Sequence, residues 1–156
     1  MTNPTLEAAD LYGMNGSKAT KAVLTAAARA LMPVILVSYP GAGKTATVCE
    51  WSREMGCGDP ICVVGSQMDP TDVAGRPYPS RDHSHTKYLR PVWQHQCLDG
   101  QPHVLFFDEF SNTPRSVQAG LLKIIGERRF ADGAKLPGDV YIVGAMNPEG
   151  TAASYE

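Results

Sequence analysis

Residues 34–45, VILVSYPGAGKT, join four apolar residues to a turn with two glycines, then a lysine and a threonine. The run Val34 to Val37 reads as a buried strand. The residues from 44 to 55 follow helical spacing, with Val48, Trp51 and Met55 on one side and Gly56 as the stop. Glycine in regular structure is entropically costly. Gly41 and Gly43, set directly between strand and helix, therefore mark a place where the backbone wraps closely round something, with no Cβ to intervene.

Working outward, the same alternation recurs. Ser17 as N-cap opens KATKAVLTAAARALM, ended by Pro33, with Val23, Ala26, Ala27, Ala30 and Leu31 as its apolar face. ICVV (61–64), HVLFF (103–107) and VYIVGAM (140–146) read as three further strands. A short helix is expected from Pro91 to Leu98. A longer one is expected after Thr113 as N-cap and Pro114 at the first helical position, with Val117, Leu121, Ile124 and Ile125 as its buried stripe. Residues 66–90 are polar and rich in proline and glycine, and read as mostly loop or a short insertion. Strands apolar on both faces, alternating with helices, imply an α/β fold with a parallel sheet covered on both sides.

The whole chain fits that reading. Its 156 residues, 43% hydrophobic and 19% charged, suit one domain with a sizeable core. A formal charge of −2 gives no basic field for nucleic acid, so a nucleic-acid partner is not indicated. No apolar run approaches the ~18 residues of a membrane span, and the polar start MTNPTLEAAD lacks the apolar centre of a signal peptide. The expected compartment is the cytoplasm. Cys49, Cys57, Cys62 and Cys97 show no CxxC spacing and read as free thiols.

In an α/β sheet, ligands sit at the carboxyl ends of the strands. A glycine turn there, opening a helix, presents unpaired amides and the positive end of the helix dipole to a phosphate. Pro40, Gly41, Ala42, Gly43, Lys44, Thr45 and Ala46 are the candidate cradle. Lys44 would reach the β- and γ-phosphates, and the Thr45 hydroxyl would ligate Mg²⁺. Ser38 stands where the phosphate-loop pattern G-x-x-x-x-G-K-[ST] has its first glycine. HVLFFDEF delivers Asp108 and Glu109 to the same sheet edge: Asp108 to hold the magnesium through a water, Glu109 as general base. Asn147, at the end of the fourth strand, would lie beside the γ-phosphate if that strand sits between the other two functional ones. It would otherwise start an ordinary Asn-Pro turn.

Taken together, YPGAGKT, VLFFDEF, SNTPRSVQAGLLKIIGERRF and VGAMNP make the chain resemble the AAA+ ATPases, and within them the MoxR-like or dynein-related branch. DPTDVAGRPYP and YLRPVW resemble further segments of that branch, with Arg90 where it usually has glycine. The resemblance spans about residues 20–150. It implies a P-loop three-layer αβα sandwich with a mostly parallel sheet ordered 5-1-4-3-2. It also implies ATP and Mg²⁺ as ligands, hydrolysis between subunits of a homo-oligomeric ring (a hexamer), and remodelling of a protein substrate, in many members with a von Willebrand factor A domain partner. Residues 1–16 are expected to be a flexible N-terminus and 17–156 the nucleotide-binding core. The chain stops just after sensor 1, so the fifth strand, the arginine finger and the helical lid are expected to be missing from it. Arg128 and Arg129 are the candidate trans-acting arginines, or else surface charge. Two other functions stay open: a non-catalytic nucleotide-regulated assembly module, and a P-loop phosphotransferase. His83, His85, His95 and Cys97 form an HxH…HxC set that reads as solvated rather than zinc-binding. Tyr78 and Tyr88 flank the polar loop and read as caps on a local apolar surface.

Overall fold

The computed structural model describes residues 16–148. Its elements, in chain order, are α1 (Gly16–Arg29), β1 (Val34–Val37), α2 (Lys44–Glu54), β2 (Ile61–Val64), α3 (Pro70–Ala74), β3 (Arg76–Pro79), β4 (Thr86–Leu89), α4 (Val92–Gln96), β5 (His103–Asp108), α5 (Arg115–Glu127) and β6 (Val140–Met146). Short 3₁₀ turns occupy Gly65–Gln67 and Phe110–Asn112. Four strands form one all-parallel sheet in the order β1-β6-β5-β2. Counting only these four, that is 1-4-3-2, the expected order without a fifth strand. β1 is left at an edge, with Ile35 and Val37 exposed.

β5 shows why the sheet must be covered twice. Its side chains alternate, and Val104, Leu105, Phe106 and Phe107 are all fully buried. Val104 and Phe106 pack with Leu24 of α1 and with Val48 and Trp51 of α2. Leu105 and Phe107 pack on the other side with Val117, Leu121 and Ile124 of α5. Each such side chain contributes about 1.5–3 kcal/mol over leaving it in water. Trp93 of α4 meets Phe107 and Phe130 edge-on, at 6.0 and 5.8 Å between ring centres, and fastens α4 to the second layer.

Four local expectations are corrected. α1 already includes Gly16 and Ser17, so Ser17 is inside the helix rather than its cap, and Leu31 leaves the helix with φ 54 before Pro33 is reached. Its buried face is Leu24 and Ala28, while Val23 is exposed; a helix this rich in alanine offers nearly equal faces, and the bulkiest side chain chooses. Thr113 does not cap α5: Pro114 takes that place, and the Thr113 hydroxyl turns back toward the Glu109 carbonyl. Finally, the 66–90 segment holds α3 and an antiparallel hairpin, β3 with β4, rather than being mostly loop.

Candidate nucleotide site

The glycine turn has the backbone its sequence demands. Gly41 and Gly43 both lie in the left-handed region, at φ 77 and 78. Gly43 caps α2 without a side-chain hydrogen bond, and the first amide to close the helical ladder is that of Thr47, onto Gly43 O at 2.9 Å. The amides of Lys44, Thr45 and Ala46 therefore have no acceptor within their own helix. They face a hollow of about 380 Å³, walled by residues 40–46 together with Asp108, Glu109 and Asn147.

Two hydrogen bonds tie the walls together. The Thr45 hydroxyl donates to Asp108 Oδ2 at 2.9 Å, joining α2 to the end of β5. The Lys44 ammonium donates to Asn147 Oδ1 at 3.1 Å, and to the carbonyls of Ser38 at 2.7 Å and Tyr39 at 3.2 Å. Strand order makes this convergence: β6 lies between β1 and β5, so Asn147 emerges between the glycine turn and the acids. Ser38, in the glycine position of the pattern, encloses its hydroxyl with no partner among the described residues. A buried unpaired hydroxyl costs about 1–3 kcal/mol.

Glu109 sits at φ 52, an uncommon conformation for a residue with a Cβ, and its amide donates to Asp108 Oδ1 at 2.8 Å. Its carboxylate is not free: Oε2 accepts a short hydrogen bond from the Ser66 hydroxyl. The sequence reading passed over Ser66. The parallel register Val64↔Asp108 puts the residues after β2 beside those after β5. Gly65 allows that approach, since a Cβ there would collide with the Thr113 hydroxyl. A polar residue one step beyond a strand that neighbours the acidic strand was the available signal.

The two arginines lie elsewhere. Arg128 is turned inward: its Nη2 donates to the carbonyls of Pro137 (2.6 Å) and Val140 (2.8 Å), bracing the connection from α5 to β6. Arg129 is exposed and donates to Gly133 O at 3.0 Å. The His/Cys set does not assemble: Cys97 is buried in the core while His83, His85 and His95 are exposed. Among the described residues no group of three or more His, Cys, Asp or Glu side chains could hold a metal by itself.

A second hollow of about 310 Å³ adjoins the first across the turn. Ala42 and Lys44 belong to both, and Gly16, Ser17 and Thr20 of α1 close its far side.

The geometry has counterparts among known proteins. A crystal structure from Cytophaga hutchinsonii, described as that of a "putative ATPase", shares the fold with a TM-score of 0.56 and 17% sequence identity. The likeness covers 88% of this chain and 40% of that one, so this chain spans well under half of its neighbour's length. No curated protein matches the sequence. A family model, AAA domain (dynein-related subfamily), matches residues 33–155, from the start of β1 past the end of β6. That match takes in most of the chain, the glycine turn and the acidic strand end included, and the chain belongs to the dynein-related subfamily of AAA domains.

Proposed function

We propose that the chain binds ATP with magnesium and hydrolyses it. One observation carries the reading: Lys44, Thr45, Asp108, Glu109 and Asn147, drawn from three strand ends, wall a single hollow and are already linked across it. The free amides of residues 44–46 bind phosphate oxygens. Lys44 exchanges its carbonyl acceptors for the β- and γ-phosphates, which keeps the ammonium satisfied in both states. Thr45 and Asp108 would hold the magnesium, whose charge, when bound, would neutralise the phosphates during in-line displacement. Glu109 leaves Ser66 to take a proton from the attacking water, and Asn147 orients that water. The second hollow, which shares Ala42 and Lys44 with the first, is the candidate place for the nucleoside.

In this reading the subunit works in a homo-oligomeric ring, a hexamer, in the cytoplasm. It remodels a protein substrate, with a von Willebrand factor A domain protein as the candidate partner. The basis for these finer points is the family alone. Of the two candidate arginines, Arg129 is the one left exposed. An arginine supplied in trans contributes about 10³–10⁵ in rate, so turnover should rise with protein concentration.

The Ser66 contact favours a second reading, a nucleotide-regulated assembly module whose base is permanently parked. Phosphate release by the wild type and by Glu109→Gln, measured with ATP binding in parallel, separates the two. Catalysis predicts that Glu109→Gln still binds ATP and loses about 10²–10⁴ in turnover. Undiminished release by that variant would remove Glu109 from the mechanism. Stoichiometric binding with no release by the wild type would favour the module.

A further inference from the structure

Ser38 stands where the phosphate-loop pattern has its first glycine, and the turn serves its side chain poorly. Val34 and Leu36 pack toward the α1–α2 layer, while Ile35 and Val37 are exposed. The two-residue period of a strand carries Ser38 onto the Val34 side. There it lines the second hollow beside Leu36 and Thr47. Its hydroxyl oxygen is closed off from solvent and has no hydrogen-bond partner among the described residues. A hydroxyl can donate once and accept twice, so its whole capacity is idle.

The main chain of Ser38 shows what holds it there. Its amide reaches Met146 O only at 3.4 Å, beyond the usual range, whereas its carbonyl accepts from the Lys44 ammonium at 2.7 Å. Lys44 is the firm tie. The ammonium has three protons, and the carbonyls of Ser38 and Tyr39 and Asn147 Oδ1 take them all, so none is left for the hydroxyl. Alanine or glycine would fill this place without enclosing an idle polar group. A local rule broken at a cost in one arrangement points to a gain in another.

We propose that Ser38 is a positioning residue that couples the turn to occupation of the phosphate site. While Lys44 holds the Ser38 carbonyl, the hydroxyl is orphaned. When Lys44 turns to a triphosphate, the Ser38 peptide is untied and its hydroxyl opens to the second hollow, where water or the Thr47 hydroxyl pairs with it. The coupling presupposes the nucleotide reading, since phosphates are what draw Lys44 away. Ser38 acts through Lys44 and penalises the arrangement that competes with the ligand. A ligand shifts such an equilibrium only by its preference between the two states, and Ser38 enlarges that preference.

The test is Ser38→Ala in the full chain, which should have effects of opposite sign. Without nucleotide, the thermal midpoint should rise by about 2–4 °C, because the idle hydroxyl is gone. Calorimetric affinity for ATP with magnesium should fall by about tenfold, and affinity for inorganic triphosphate by the same factor, because the device answers to phosphate. In a Lys44→Ala background the carbonyl is already untied, so adding Ser38→Ala should leave the midpoint where it is. A merely structural role would move the midpoint equally in both backgrounds. The proposal alone is overturned by a midpoint that falls or stays put in Ser38→Ala, by an unchanged affinity for ATP, by a loss confined to ATP and spared with triphosphate, or by an equal rise in the Lys44→Ala background. A wild-type chain that binds neither probe overturns the nucleotide reading and this coupling with it.

Discussion

Replacing Lys44 by alanine tests the centre of the site. In the structure its ammonium spends its three protons on the carbonyls of Ser38 and Tyr39 and on Asn147 Oδ1, at 2.7, 3.2 and 3.1 Å. Two effects follow, and they separate by size. The fold loses a few charge-assisted hydrogen bonds whose acceptors can turn to water, about 1 kcal/mol of net stability. Binding loses an ammonium beside phosphate. At about 4 Å and an effective dielectric of about 20 that attraction is about 4 kcal/mol. Part of it is offset by the three contacts Lys44 gives up, which leaves a loss of roughly 10²–10³ in ATP affinity. Calorimetric titration with ATP and magnesium measures the second effect, and thermal unfolding measures the first. A Lys44→Ala protein that unfolds near the wild-type temperature and binds ATP as tightly would refute the assignment of the hollow.

Two further outcomes are expected. Ser66→Ala releases the Glu109 carboxylate, so basal phosphate release should rise while the KM for ATP stays put; a fall in release with a rise in KM would make Ser66 a ligand contact instead. At the hairpin tip the Asp82 carboxyl is held down to about 2, from 3.8, by the Ser80 hydroxyl, then by the Ser84 hydroxyl and amide. A depressed folded pKa contributes stability that is complete above 3.8 and is lost as pH falls through about 2. The carboxyl carbon of Asp82, followed by NMR in acid, should therefore titrate near the lower value, and a midpoint near 3.8 would mean the tip is open in solution.

What the sequence made legible was what burial and phosphate chemistry both constrain. The central strands β5 and β6 had to be apolar on both faces, so their runs stood out. Gly41, Gly43, Lys44 and Thr45 had to fall in one order for a phosphate, and Asp108 and Glu109 had to follow a strand. The hairpin gave no such signal. All eight of its strand residues are exposed, and Pro77 and Pro79 argue against a strand. Its pairing comes from cross-strand register rather than from an apolar face. Ser66 was hidden for a related reason, since its role depends on β2 lying beside β5, which no local pattern encodes. The contacts of Arg128 had no local signal either, since a charge at a helix end is usually solvated, whereas here its Nη2 donates to two carbonyls.

The alternation along β5 reaches further than packing. The glycine turn is anchored through Val48 and Trp51 in one layer, and the segment bearing Glu109 through Phe110 in the other, with the sheet as the partition between them. In the proposed mechanism, grip on the triphosphate and cleavage of its last bond are thus mounted on separate foundations. Drift in the residues beneath one can retune that step while the other keeps its setting.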